Sequence, residues 1–156
     1  MFNANLPRWI FASISKHFTT KCPSLMLFIE GQLRPTTLSK DWIELRVDGP
    51  YLTEVSKGYW KVYSEINVLL SSYMDQKNYH RIHQDAGTVA AAFTCIEIYR
   101  YGIGIEDDQS LVGAMQLVRD TRGRERIQIS HFGMIDPDKQ LYQATVEGHY
   151  SMFLES

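Results

Sequence analysis

This sequence of 156 residues contains few cysteines, no long apolar run and no surplus of basic residues. Two cysteines, Cys22 and Cys95, are too few for a disulfide framework, and we expect both to be buried thiols in a reducing cytoplasm. No apolar run approaches the roughly 20 residues that a membrane-spanning helix needs. Pro7, Arg8 and Lys16 interrupt any signal-peptide core. The formal net charge of −2 is not typical of a dedicated nucleic-acid-binding protein, which usually has an excess of basic residues.

Recognisable catalytic and cofactor-binding motifs are also missing. The sequence has no GxxxxGK[ST] phosphate loop and no GxSxG nucleophile turn, and Gly102-Ile103-Gly104 lacks the rest of a dinucleotide-binding loop. His80 and His83, with Asp85 nearby, have a spacing that can suit zinc, but the local sequence offers no further ligand. The acidic run of Glu106, Asp107 and Asp108 is typical of a solvated loop. We therefore predict that the protein is not an enzyme and has no cofactor or metal ion.

The chain does contain long stretches in which apolar and polar residues alternate, as they do in β-strands. The stretch over residues 140–154 would span about 45 Å at ~3.3 Å per residue, more than twice the usual strand length. A similar stretch over residues 59–71 follows residues 51–55, with a glycine-containing turn between them that indicates a hairpin. Such strands are longer than the core of a small domain requires. We therefore predict that they reach a neighbouring subunit.

The remaining segments indicate two helices and further strands. Leu6, Ile10, Ile14 and Phe18 form one apolar stripe, so the first helix should pack on a core. The pattern Asp48-Gly49-Pro50 predicts the end of a strand. The predicted helices cover residues 6–20 and 75–94, and the predicted strands cover residues 26–30, 41–48, 51–55, 59–71, 96–101, 111–118, 124–132 and 140–154, with a turn over 136–139. This order predicts an α+β fold: one domain over residues 1–156, with a mixed, mostly antiparallel sheet of long hairpins packed by two helices.

Four segments together give the chain a familiar layout. An amphipathic N-terminal segment, LPRWIFASISKHF, precedes the strand GYWKVYSEINVLL, and the pair RIQISHFG and QATVEGHYSMFL closes the chain. Over most of its length the chain resembles the tail terminator (tail-completion) proteins of tailed bacteriophages. The resemblance implies a structural virion protein that forms a homohexameric ring, caps the tail tube, terminates tail polymerisation and joins the tail to the head or neck.

The resemblance also implies where the protein works and with what. Its partners would be other copies of itself, the tail tube protein and a head–tail connector or neck protein, with no membrane involved. It would be found in the virion, and in the host cytoplasm during assembly. DNA would pass through the lumen of the ring without sequence-specific binding.

The interface residues are predicted from the sequence patterns, because the resemblance rests on no short motif. The hairpin tip and the polar face of the long strand are the first candidates. An arginine pair near the last hairpin is the second, because symmetry would multiply its charge around a ring. An ordinary charged turn and solvated strand face is the simpler explanation of these arginines. The predicted interface residues are Ser56, Lys57, Gly58, Tyr59, Tyr63, Glu65, Arg122 and Arg124.

Two alternatives stay open at the level of the sequence. Another neck, head–tail connector or tube-like ring protein would have a similar small α+β subunit. A small soluble enzyme or ligand-binding domain would instead have a pocket between the sheet and the helices. The first alternative differs from a terminator in how it assembles, and the second in remaining monomeric and binding a ligand.

Overall fold

The computed structural model of the protein describes residues 3–30, 41–73, 80–101, 110–118, 126–136 and 141–155. These residues form two helices and seven strands, which confirms the predicted α+β class. In chain order they are α1 (Leu6–Lys21), β1 (Met26–Ile29), β2 (Trp42–Ser56), β3 (Tyr59–Tyr73), α2 (Arg81–Ala91), β4 (Ile96–Tyr99), β5 (Leu111–Val118), β6 (Ile127–Asp136) and β7 (Leu141–Glu155).

The strands form one mixed sheet in the order β1-β2-β3-β7-β5-β4, with β6 also paired to β7. Only the β1–β2 pair is parallel among these pairs; the others are antiparallel. Strands β2, β3 and β7 each contain 15 residues, and β7 pairs with β3 along its whole length. The other edge of β7 is divided, because β6 pairs with residues 141–148 and β5 with residues 149–151.

Both helices contribute to one core on one face of the sheet. The predicted stripe of α1 is buried as expected, with Ile10, Ile14 and Phe18 fully inaccessible. Phe93, just after α2, packs edge-on against Phe18 with ring centroids 5.1 Å apart. The predicted alternation of β3 and β7 is also confirmed, since every second residue of each strand faces this core. The opposite face of the sheet has no described helix on it, and we call it the open face.

The predicted strand end at Asp48-Gly49-Pro50 is wrong. Strand β2 continues through it, so one strand replaces the two that were predicted. Asp48 pairs with Glu65 and Tyr51 with Tyr63, which leaves one extra residue on β2 and makes a bulge. Gly49 adopts φ +102°, which a side chain would disfavour, and so lets the backbone turn while β3 continues to provide hydrogen bonds.

Other predicted boundaries also differ from the structure. Helix α2 ends at Ala91, three residues early, and the predicted start at 75–79 lies outside the described residues. Strand β4 ends at Tyr99 instead of residue 101. Strand β6 runs to Asp136, past the predicted end at residue 132, so the predicted turn starts inside a strand and its remainder lies outside the described residues. The strand predicted over residues 111–118 is confirmed.

One cysteine prediction is wrong. Cys22 is buried, but Cys95 is exposed, and its Sγ accepts a hydrogen bond from Nε2 of Gln116 at 3.2 Å. Cys95 lies between α2 and β4, where the alternating pattern that buries Ile96 has not yet begun. Neither described helix is long and apolar enough to cross a membrane.

Candidate functional site

The predicted hairpin tip forms as expected between β2 and β3. Ser56 pairs with Tyr59, and Lys57 and Gly58 make the turn. Gly58 adopts φ +75°, and its N–H donates to Oε1 of Glu54 at 3.0 Å, so the turn is held by a side chain of its own strand. Three of the four predicted residues, Ser56, Lys57 and Tyr59, are exposed.

The structure brings the predicted residues Tyr63 and Glu65 together on the open face. They lie two residues apart on β3, and the Tyr63 hydroxyl donates to Oε1 of Glu65 at 3.2 Å. The same hydroxyl is hydrogen-bonded to Nδ1 of His149 on β7. Nδ1 of His149 lies 3.6 Å from Oε1 of Glu65, so three side chains from two strands form one small polar network. The β3–β7 register creates it, because Glu65 is directly opposite His149.

Beside this network lies a group of exposed apolar side chains, at the end of the long strands that is nearest the β2–β3 turn. Tyr59 of β3 and Phe153 of β7 stack with their ring centroids 5.6 Å apart and their planes within 5° of parallel. Tyr51 of β2 lies over Tyr63, with ring centroids 6.1 Å apart. Val55 is the extra residue of a second bulge next to the turn. We call these residues the distal patch: Tyr51 (54% exposed), Val55 (51%), Tyr59 (36%) and Phe153 (52%).

Away from the distal patch, the open face has paired charged and amide side chains. Arg46 and Glu30 form an ion pair at 2.6 Å, with both side chains about half exposed. Nδ2 of Asn67 donates to Oε2 of Glu147 at 3.2 Å. The charged and amide groups of this half are thus paired on the surface, where such pairs contribute little to stability. Aromatic surface is concentrated at the distal end, and this is the part of the open face best suited to burial against a partner.

The predicted arginine pair cannot be related to this surface, because Arg122 and Arg124 lie outside the described residues. Arg126, the next arginine along the chain, is described and exposed immediately before β6. The predicted site is therefore brought together only in its first part, from the hairpin tip to Glu65.

The histidines of α2 are arranged differently from a zinc site. His80 precedes the helix and His83 lies on its surface. The ring of His83 packs against that of His131 on β6, with centroids 4.3 Å apart. Burial, and secondarily the neighbouring His83, lowers the pKa of His131. Among the described residues no group of three or more His, Cys, Asp or Glu side chains is placed to hold a metal ion.

Asp85 takes part in a carboxyl pair at the start of α2. Arg81 donates two hydrogen bonds to Asp41, just before β2, and the Ser72 hydroxyl donates a third at 2.7 Å. Burial alone would raise the pKa of Asp41, but the hydrogen bonds from Arg81, Asp85 and Ser72 hold it below its ordinary value. Burial, with the hydrogen bond to Asp41 and its charge, raises the pKa of Asp85 to about 8. Asp85 is therefore protonated at neutral pH, and the pair fastens α2 to the sheet.

A cleft with a volume of about 370 Å³ lies between α1 and β4. Lys16 and Lys21 of α1 line one side, and Cys95, Glu97 and Tyr101 line the other. The buried hydroxyl of Tyr101 has no hydrogen-bond partner among the described residues. Charges of both signs line this cleft, and they do not form a recognisable catalytic group.

Three residues of the open-face site escaped the sequence-based prediction: Tyr51, His149 and Phe153. Tyr51 was assigned to a strand, but the bulge at Gly49 decides which face it occupies. The alternation of β7 places His149 on its polar side and had not assigned Phe153 to either side, and only the register with β3 shows that they lie beside Tyr63 and Tyr59. Alternation in the sequence thus shows which face of a strand a residue lies on. Its neighbours on the adjacent strands are known only once the strand pairing is known.

Comparison with known proteins adds little to this description. No family model matches the chain, and no curated protein is similar to it. Solved structures similar to this chain include that of a protein without a descriptive name, which is similar over 97% of this chain and 96% of its own, with 11% sequence identity and a TM-score of 0.48.

Proposed function

We propose that this protein is a structural subunit that assembles into a ring in the tail of a bacteriophage, where it caps the tail tube and joins the tail to the head or neck. The observation that carries the proposal is the distal patch, a cluster of exposed aromatic and aliphatic side chains at the end of three 15-residue strands. Apolar surface of this kind is stabilising only when a partner covers it.

The location of the patch supports assembly over ligand binding. The distal patch lies on one face of the sheet and next to a two-residue hairpin turn, and small ligands are usually bound in concave sites. Its stacked Tyr59–Phe153 pair provides a large apolar contact area with few rotatable bonds to immobilise. Tyr63, Glu65 and His149 at its border can donate or accept hydrogen bonds from a partner. The exposed Lys61 and Glu155 lie among these side chains, directly opposite Phe153 and Tyr59. Aromatic side chains with polar and charged neighbours are typical of protein–protein interfaces.

The function as a tail terminator is proposed from the resemblance in the order of segments described above. One side of a terminator must bind the tube, and its other side must not bind a further tube subunit. In this proposal the partners are other copies of the chain in a homohexamer, the tail tube protein and a neck protein, and DNA passes through the lumen.

Light scattering after size exclusion, with negative-stain imaging, tests the proposal. We expect discrete closed rings, either alone or after addition of purified tail tubes, and tubes that no longer elongate once the protein is bound. Filaments of the protein alone would favour a tube-like protein. Failure to form rings and to bind tubes would refute the proposal.

A pair of variants connects this test to the distal patch. Tyr59→Ser with Phe153→Ser removes the stacked pair from a surface position, so the monomer should remain folded while assembly weakens at least tenfold. Gln84→Ser on the exposed side of α2 is the matched control and should assemble normally. Equal assembly by both variants would remove the distal patch from the interface.

The α1–β4 cleft favours a second candidate, a ligand-binding domain. Its volume of about 370 Å³ is within the range of small-molecule sites. Trp9 lies beside it, since its Nε1 donates to the Tyr101 carbonyl at 3.0 Å, and its fluorescence would report binding. A strictly monomeric protein whose melting temperature rises with one compound of a metabolite library would favour this function over assembly.

A further inference from the structure

Strand β6 is an edge of the sheet with an unusual amount of apolar surface. Its one described strand partner is β7, and its other side pairs with none of the described strands. Four large apolar residues of this ten-residue strand are 43–57% exposed. We call them the edge patch: Ile129, Phe132, Met134 and Ile135. Exposed apolar edge strands promote unwanted association, so monomeric proteins usually cover them or place charges on them.

The β4 edge of the same sheet is contacted by helix α1, whereas the β6 edge has no such described helix along it. Oγ of Ser13 on α1 accepts the backbone N–H of Tyr99 at 3.0 Å, so a side chain of the helix satisfies that edge donor. Trp9 and Arg8 donate to the Tyr101 carbonyl just beyond the strand, at 3.0 and 2.6 Å. Helix α1 therefore packs along the β4 edge and satisfies one of its backbone donors.

Bulges determine what β6 presents. His131 and Gly133 pair with adjacent residues of β7, which leaves Phe132 as an extra residue, and Ile135 is an extra residue in the same way. Bulges disturb regular pairing at an edge, so β6 is a poor template for another strand. The two extra residues are both exposed and apolar, which favours contact through side chains.

The edge patch can be buried at little electrostatic cost. No Asp, Glu, Lys or Arg occurs between Ile127 and Ile135. The nearest titratable side chain is His131, which faces His83 on the helix. Desolvating full charges is the main cost of forming an apolar interface, and the edge patch itself contributes little to that cost.

The edge patch and the distal patch match in size and are well separated. Each exposes the equivalent of about two large side chains, or roughly 400 Å² if a large side chain has about 200 Å². Ile129 pairs with Val146, and Phe153 lies seven residues further along β7, which is about 23 Å at ~3.3 Å per residue. Because about 57% of an interface is non-polar, 400 Å² corresponds to roughly 700 Å² in total, close to the ~800 Å² per partner of a standard interface.

We propose that the edge patch of one copy packs against the distal patch of the next copy in a head-to-tail contact. This inference rests on the proposed ring function and names the two surfaces that would form each contact. A ring requires two different surfaces on each subunit, one for each neighbour. Two separate apolar patches of equal area meet that requirement, whereas one self-complementary patch would give a dimer.

Disulfide cross-linking tests the contact, in a Cys95→Ser background in which the buried Cys22 is the one remaining native thiol. Phe132→Cys and Phe153→Cys are made in separate chains, and each is oxidised alone and after mixing under assembly conditions. We expect a cross-linked dimer band in the mixture and none from either chain alone. Thr88→Cys, on the exposed surface of α2, is the control and should not cross-link with either chain.

The other outcomes separate this inference from the ring proposal. Cross-linking of Phe132→Cys with itself would show a two-fold contact and overturn the head-to-tail arrangement. Rings seen by imaging without the mixed cross-link would overturn the assignment of patches and leave the ring function standing. Absence of any assembly, with or without tail tubes, would overturn both.

A charge pair gives a second readout. Phe132→Glu and Phe153→Lys should each weaken assembly at least tenfold, because each buries a charge against an apolar surface. The two changes combined in one chain place opposite charges across every contact and should restore assembly at least partly. A double variant that assembles no better than the worse single variant would contradict the proposed pairing.

Discussion

Gly148, in the middle of β7, should not tolerate a methyl group. A Cβ at this position would lie 2.7 Å and 2.9 Å from two ring carbons of Phe93 and 3.0 Å from Cδ2 of Leu117. Phe93 is 3% exposed and packs against the rings of Phe18 and Tyr150, with centroids 5.1 and 6.2 Å away, so it has little room to retreat. The substitution Gly148→Ala therefore forces a rearrangement where α2 ends and meets the sheet.

The expected magnitude follows from two opposing effects. Overpacking a close-packed core costs about 1–3 kcal/mol, and replacing glycine by alanine in a strand recovers about 0.5–1 kcal/mol. We expect Gly148→Ala to lower the free energy of unfolding by about 1–2 kcal/mol, or the melting temperature by roughly 2–8 °C for a chain of this length. Urea unfolding followed by circular dichroism measures the first quantity, and calorimetry the second.

Gly113 provides the matched control on the neighbouring strand β5. A Cβ there would lie 3.5 Å from Sδ of Met152 and 3.7 Å from Cδ2 of Leu154, which is ordinary van der Waals contact. Gly113→Ala should be neutral or stabilising by up to about 1 kcal/mol. If Gly148→Ala is as stable as Gly113→Ala, the packing of Phe93 on β7 is described incorrectly.

A second substitution tests the cause. Phe93→Leu shortens the side chain that the new methyl group would meet. In the Gly148→Ala background it should cost less than it does alone, and the difference measures the coupling between the two sites. Additive effects would show that the loss at Gly148 comes from the backbone and not from the Phe93 ring.

Three further predictions concern the carboxyl pair, the covered edge and the thiols. The pKa of Asp85 is raised from 3.8 to about 8 in the folded protein, so the stability that this group contributes is complete below about pH 4 and is lost as the pH rises through 8, by on the order of 1 kcal/mol per pH unit. Asp85→Asn should therefore make the melting temperature less dependent on pH between pH 5 and 8.5. An unchanged slope of melting temperature against pH would contradict the assignment. Ser13→Ala leaves the Tyr99 N–H without its acceptor and should cost about 1–3 kcal/mol in urea unfolding, whereas a loss below about 0.5 kcal/mol would mean that water replaces the hydroxyl. A maleimide should modify the exposed Cys95 in the native protein and reach the buried Cys22, whose pKa burial raises, only after denaturation; mass spectrometry of native and denatured samples counts the labels, and two labels on the native protein would contradict the burial of Cys22.

The alternation of side chains was enough to predict the sheet, because burial on one face imposes a period of two on each strand. Tyr59, Tyr63 and Glu65 were placed together on a polar face for that reason, and the structure puts them on the open face. The same reasoning failed at Gly49, since a bulge supported by β3 allows a strand to continue through residues that usually end one. Local sequence cannot show that support, which comes from Tyr63 and its neighbours on another strand.

The remainder of the site depends on pairings between distant segments. His149 meets Tyr63 only because β7 lies beside β3 in one particular register. The edge patch was not predicted, because Phe132 was the last residue of a predicted strand, Ile135 lay between that strand and the predicted turn, and the two bulges were not known. The period of two shows which face of the sheet a residue lies on. The register between strands, and whether a strand is at the edge of the sheet, determine which residues lie next to it.

The division of one edge of β7 between β5 and β6 has a consequence for the order in which the sheet forms. Each strand that pairs with β7 precedes it in the chain, so none has that partner until β7 is present. Only the β6–β7 connection is short, and the β3–β7 pairing closes a loop of tens of residues, which is slow. We therefore expect β6 and β7 to form first as a local hairpin and then to dock on β3 as a unit. The edge patch would then form with this hairpin, whereas the Tyr59–Phe153 stack of the distal patch would form only when β7 docks on β3, so that both surfaces are complete only after the last folding step.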